Sequence, residues 1–200
     1  LRDSAVLRVT VMGFTHSSLG EASETIPKWL PRPHSGLTDR GRTFIRRLND
    51  VRVLVDLAHA SRRAFWDALA VHDTALPPAV THAGADAVTP HIRNLTDPQI
   101  RALADRGGMV GIIFKNGLLG KDADAQLVAR HLEHFVHVGG EDVVALGADW
   151  DGFNVPPTDL RFPNQLPHLV AVLLTRGWSE RAIRKLLGGN VLRVLGSLRG

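Results

Sequence analysis

The stretch Val51-Arg52-Val53-Leu54-Val55-Asp56-Leu57-Ala58-His59 is a short apolar run of Val and Leu that ends in a histidine. Ser61 then stands where a helix cap belongs, and Phe65, Ala68 and Leu69 recur on one side of a helix ending near Val71. After Pro77, the run Pro78–His82 is again apolar and again ends in a histidine. Strand, helix, strand in about 30 residues is a βαβ unit, with two parallel strands joined by a crossover helix. Near-continuous apolar character predicts strands covered on both faces.

The same alternation extends in both directions. Strand-like runs fall at Val6–Met12, Val51–Leu57, Pro78–His82, Met109–Phe114 and Val143–Asp149. Helices are predicted over Thr38–Asn49, Ser61–Val71, Asp97–Arg106 and Ala123–Val138, the third with Asp97 as cap and a stop at Gly107-Gly108. Three short helices follow, around Leu166–Thr175, Ser179–Leu187 and Asn190–Leu198. The segment Gly20–Gly36 has three prolines and no periodicity, and reads as an irregular loop. Five β/α units in a single domain over residues 1–200 predict an α/β fold with a parallel sheet. They are too few for a complete (β/α)8 barrel, which takes about 250 residues. An open sheet and the later part of a barrel both fit the pattern.

Composition narrows the function. The chain has 200 residues, 44% hydrophobic and 22% charged, which excludes disorder. With no Cys, disulfide scaffolds and thiolate metal sites are excluded, so a metal would have to be held by His and carboxylates. No apolar run reaches the roughly 18 residues that span a bilayer. The net charge of +4 reflects scattered arginines rather than a basic tract, which argues against a nucleic-acid partner. There is no secretion signal at the N-terminus, and together with the absence of Cys this leads to an expected location in a bacterial-type cytoplasm. The chain also lacks an initiator Met and reads as a piece of something longer.

Chemistry-bearing residues cluster at predicted strand ends. His16 follows the first run, His59 the second, His82 ends the third, and Asp149 ends the fifth. In a parallel barrel those carboxyl ends converge on the active-site face. His59 and His82, 23 residues apart, fall at one height on neighbouring strands and form a candidate imidazole pair for a metal. Zinc suits such ligands, with manganese and iron as alternatives. Asp149 is either a ligand or a proton-transfer group. Arg93, on the loop after the His82 strand, can clamp a carboxylate bidentately. His131, His134 and His137 share a helix expected outside the barrel, away from the chemistry, while His34, His72 and His168 have no evident partner.

The motifs together resemble the membrane (renal) dipeptidase family of zinc metallopeptidases. They include Gly36-Leu37-Thr38-Asp39-Arg40-Gly41, Val53–Ser61, Thr81-His82-Ala83 and Arg93-Asn94-Leu95-Thr96-Asp97. Further along are Gly107–Gly111, Leu146-Gly147-Ala148-Asp149-Trp150-Asp151-Gly152, Arg176–Glu180 and Gly188–Leu195. The resemblance implies a TIM-type (β/α)8 barrel with two zinc ions joined by a carboxylate and a water or hydroxide. This chain would hold only its last five units, strands four to eight. By the same resemblance, His59 and His82 ligate the second metal, and His16 contacts the scissile carbonyl. Arg93 binds the terminal carboxylate of a dipeptide substrate, and Asp149 shuttles the proton.

The sequence also departs from that pattern. The family holds its first metal with a His-x-Asp pair and joins both metals with a Glu. This chain has no His-x-Asp, and Glu21 and Glu24 do not match the joining position. The expectation is therefore a fragment, or a chain inactive alone. Its open edge would lead it to homo-oligomerise or to associate with a missing N-terminal part. The competing readings are another two-metal barrel hydrolase, an amidase or phosphoesterase, and a non-catalytic barrel remnant.

Overall fold

A computed structural model describes residues 11–13, 36–152 and 154–199. Val6–Thr10 of the first predicted strand, His16 and its loop, Glu21, Glu24 and His34 lie outside the described residues.

All five predicted strands are present. They are β1 (Val11–Gly13), β2 (Leu54–Asp56), β3 (Ala79–Ala83), β4 (Met109–Ile112) and β5 (Val144–Leu146). They form one parallel sheet in the order β1-β2-β3-β4-β5. Strand order follows chain order with no reversal, as in a barrel wall and unlike a doubly wound sheet. The register of β3 against β4 shifts between Val80 and Ala83, where Val80 faces Val110 but Ala83 faces Ile112. Three steps along β3 match two along β4, so the irregularity falls on Thr81-His82.

Helices fill the intervals. They are α1 (Asp39–Asp50), α2 (Arg62–Val71), α3 (Asp97–Ala104) and α5 (Ala125–Gly139), with a single extra turn, α4 (Asn116–Leu119), after β4. Their starts follow local capping chemistry. Thr38 Oγ1 accepts from Gly41 N, Ser61 Oγ from Ala64 N, and Asp124 Oδ1 from Leu127 N. The cap of α3 is Thr96 rather than Asp97. Gln99 Oε1 accepts from both the backbone N–H and the hydroxyl of Thr96, which satisfies the helix start one residue earlier than expected. The helix stops before Gly107, whose φ of +63° suits glycine.

The C-terminal helices are α6 (Leu166–Thr175), α7 (Glu180–Arg184) and α8 (Asn190–Ser197). The helix expected over Ser179–Leu187 is shorter. It passes into a wide π turn at Lys185–Gly189, where the backbone of Gly188 leaves helical geometry, and continues as α8.

The core lies between the sheet and its helices. Ile45, Phe65, Ile100, Leu132 and Phe135 are almost completely buried. Each such side chain contributes roughly 1.5–3 kcal/mol by leaving water. Gly111 on β4 and Gly147 just past β5 sit against the Thr81 carbonyl, where any side chain would collide with backbone. These two glycines let β3 approach β5 across β4, and so set how tightly the sheet curls.

Candidate active site

The sheet carries its polar residues at the carboxyl ends of the strands, and the site begins there. A cavity of about 320 Å³ opens at those ends, and His59, His82, Arg93 and Asp149 all line it. Four sequence-predicted residues, brought from three strand ends and one loop, thus meet around one space. The fifth, His16, lies outside the described residues.

His59 and His82 face each other directly. Their Nε2 atoms are 2.9 Å apart, with the rings edge to face. The His59 ring projects from three residues past β2, and His82 is the fourth of the five residues of β3, within the register shift at Thr81-His82. Burial is the main force holding His82 below its ordinary pKa. The Arg93 guanidinium adds to it, Asp149 and Asp56 oppose it, and Lys115 lowers it further. A neutral ring is the form a metal requires. Two ring nitrogens bound to one tetrahedral zinc at ~2.0–2.1 Å stand roughly 3.3 Å apart, a few tenths of an ångström more than the separation here, so this donor pair suits the imidazole side of a zinc site after a small opening. Among the described residues no group of three His, Asp or Glu side chains is placed to hold an ion.

Arg93 is buried, unusual for an arginine. Its loop is held by Asn94. The Asn94 side chain accepts from Gly84 N and donates to the carbonyls of Thr89 and Leu118. A rigid loop keeps the guanidinium at the cavity.

Asp149 adopts a left-handed backbone with φ of +57°. Asn154 Nδ2 donates both to its carbonyl, at 2.8 Å, and to its carboxylate, at 2.7 Å. The adjacent Trp150 is anchored by donating to the Leu160 carbonyl and packs edge-on against Phe114. Gly152 leaves room for the Asp149 carboxylate, which any Cβ at that position would strike.

Sequence reasoning missed several cavity residues. Lys115, His91 and Asn154 also line it. Lys115 directly follows the predicted strand run Met109–Phe114, so the strand-end rule that found the histidines would have found it too. His91 and Asn154 lie on loops and carry no such signal.

The histidines of α5 separate into different roles. His131 is fully buried, with Nδ1 accepting from Ala85 N at 2.9 Å and Nε2 facing the Leu119 carbonyl at 3.0 Å. It ties the helix to the loops after β3 and β4. His134 pairs with Asp97 at 2.7 Å. His168, expected to lack a partner, lies 2.9 Å from Asp159. Its partner is nine residues away in sequence and is supplied by the turn before α6, which no periodicity could reveal.

Comparisons with known proteins give the family and the fold. A sequence model described as membrane dipeptidase, peptidase family M19, matches residues 1–199. A protein named dipeptidase tcpJ from Claviceps purpurea is 37% identical over 166 residues, covering 81% of this chain and 38% of its own length. A Rhodobacter sphaeroides metallopeptidase, solved with a phosphinate mimic of the dipeptide L-Ala-D-Ala, superposes with a TM-score of 0.77 at 34% identity. That match covers 82% of this chain and 47% of the other. The probable dipeptidase PvdM from Pseudomonas aeruginosa superposes with a TM-score of 0.85 at 20% identity, over 94% of this chain and 62% of the other, and shows the shared fold alone. That fold is α/β with a parallel sheet, TIM-barrel-like. The chain spans less than two thirds of the length of each of these proteins.

Proposed function

The chain belongs to the membrane dipeptidase family, and from that premise we propose that it is the later five-unit part of a metal-dependent dipeptidase barrel. It would supply strands four to eight, acting on dipeptides with a free C-terminal carboxylate. The convergence of His59, His82, Arg93 and Asp149 on one cavity at the strand ends carries this reading.

His59 and His82 would hold one zinc ion of a two-ion centre. When bound there, zinc supplies a Lewis acid and a water acidic enough to act near neutral pH. The chain's own residues do the rest. Arg93, held rigid by Asn94, takes the substrate carboxylate in a two-point bond and sets the register of the peptide group. Asp149, held by Asn154, accepts a proton from the attacking water and returns it to the departing amine. His16 would stabilise charge on the carbonyl oxygen. The first ion's His-x-Asp pair and the joining Glu have no counterpart in this sequence. The chain alone is therefore expected to bind zinc and dipeptide weakly and to turn over no dipeptide measurably.

The test is binding. Elemental analysis and calorimetry should find zinc on the chain and none on His59→Ala or His82→Ala. A dipeptide should bind more tightly than its C-terminal amide, and Arg93→Met should abolish that difference. Zinc retained by both histidine variants, or equal binding of acid and amide, would overturn the proposal.

A further inference from the structure

Asp56 is buried below the imidazole pair, and its carboxylate accepts three hydrogen bonds. Oδ1 takes the backbone N–H groups of Ala58 at 3.0 Å and Thr81 at 2.9 Å, and Oδ2 takes the Thr81 hydroxyl at 2.6 Å. The same hydroxyl oxygen lies 3.0 Å from His82 Nδ1. A hydroxyl has one proton to give, and a carboxylate can only accept. The Thr81 proton therefore points to Asp56, and the Thr81 oxygen is left to accept from His82. Nδ1 must then carry the ring hydrogen, which leaves Nε2 with a bare lone pair. That Nε2 is the atom 2.9 Å from His59.

We propose that Asp56 and Thr81 are positioning residues that lock His82 in the tautomer with a free Nε2 lone pair, ready to ligate. The proposal deepens the metal-site reading and rests on it for the role of His82. Holding the ends of β2 and β3 together would need only the Thr81 N–H bond to Oδ1, the Ala58 N–H bond being local to the turn after β2. The hydroxyl contact to the ring serves no such purpose. It exists because the register shift brings Thr81 and His82, neighbours in sequence, into mutual reach. The Thr81 carbonyl is meanwhile held against Gly111 and Gly147, so the hydroxyl has a fixed base from which to act. In the metal-free chain the proton shared between the two Nε2 atoms then belongs to His59. Outer partners of this kind commonly change metal affinity by ~10–100-fold.

The test reads the tautomer directly. Long-range proton–nitrogen NMR of the labelled, metal-free chain should show His82 protonated at Nδ1. Asp56→Asn presents an amide donor to the Thr81 oxygen, turning the hydroxyl proton toward the ring and moving the ring hydrogen to Nε2. Thr81→Val should give mixed tautomers and weaken zinc, measured by chelator competition, by ~10–100-fold, with Thr81→Ser restoring both. Native His82 protonated at Nε2, or Thr81→Val with unchanged tautomer and zinc affinity, would overturn the relay. If His59→Ala and His82→Ala leave zinc binding intact, the ligand reading fails instead, and the tautomer measurement still decides the relay. If Thr81→Val does not fold, Asp56→Asn and Thr81→Ser carry the comparison.

Discussion

The Nε2 atoms of His59 and His82 stand 2.9 Å apart although 23 residues separate them. The βαβ unit accounts for this. One strand, one helix and one strand return the chain to the same height on the neighbouring strand, and the pairing of Asp56 with Ala79 fixes that height. His59 lies three residues beyond Asp56, and His82 three beyond Ala79. Replacing either histidine by Ala should weaken zinc by more than about 100-fold, beyond the effect of an outer partner. Competition with a chromophoric chelator measures this. An affinity within threefold of the native chain would exclude the pair as ligands.

Asn94 is the second expected point of sensitivity. Asn94→Ala removes the partner of Gly84 N and of two carbonyls in a buried loop. Leaving such groups unpaired costs about 1–3 kcal/mol each at most, so a loss of ~2–4 kcal/mol is expected in urea unfolding. Dipeptide affinity should fall along with it, because Arg93 loses its fixed base. A variant with native stability and native affinity would show that the loop is held by other contacts.

Gly111→Ala and Gly147→Ala should each destabilise the fold. Either Cβ would lie inside van der Waals contact of the Thr81 carbonyl, a backbone atom that cannot swing away. Overpacking of this kind costs typically ~1–3 kcal/mol or more. Thermal melts should show a clear drop, whereas Gly117→Ala, with open space around it, should melt within a degree or two of the native chain.

His131 makes stability depend on pH. Burial draws its pKa from 6.5 down to about 4, against the opposing hydrogen bond to the Leu119 carbonyl. Its folded value lies below its unfolded one, so the unfolded chain binds the extra proton first. The neutral ring's contribution is whole above about pH 6.5 and is lost as pH falls toward 4. The loss is at most about 3 kcal/mol at 1.36 kcal/mol per unit. Urea midpoints at pH 7.5, 5.5 and 4.5 measure it. His131→Gln should flatten that part of the profile, and an unchanged slope would assign the acid sensitivity to other groups.

Much was readable from the chain alone. Periodicity located all five strands, because parallel strands buried on both faces are short apolar runs bounded by polar residues. Thr38, Ser61 and Asn190 were readable as helix boundaries, since capping and helix starts are local chemistry. The strand-end rule selected His59, His82 and Asp149, because parallel strands bring their carboxyl ends to one side whatever their residues. Tertiary structure alone decided the rest. The register shift at Thr81-His82 depends on how β3 pairs with β4, and it determines where the His82 ring points. The hold of Asn94 on the Arg93 loop, of Asn154 on Asp149, and of Asp56 on Thr81 joins residues by hydrogen bonds. Such bonds depend on distances of a few ångströms between separate segments, and apolar periodicity carries no record of them. Local order is written in neighbouring residues, whereas the aim of a side chain into a cavity is set by packing across the whole sheet.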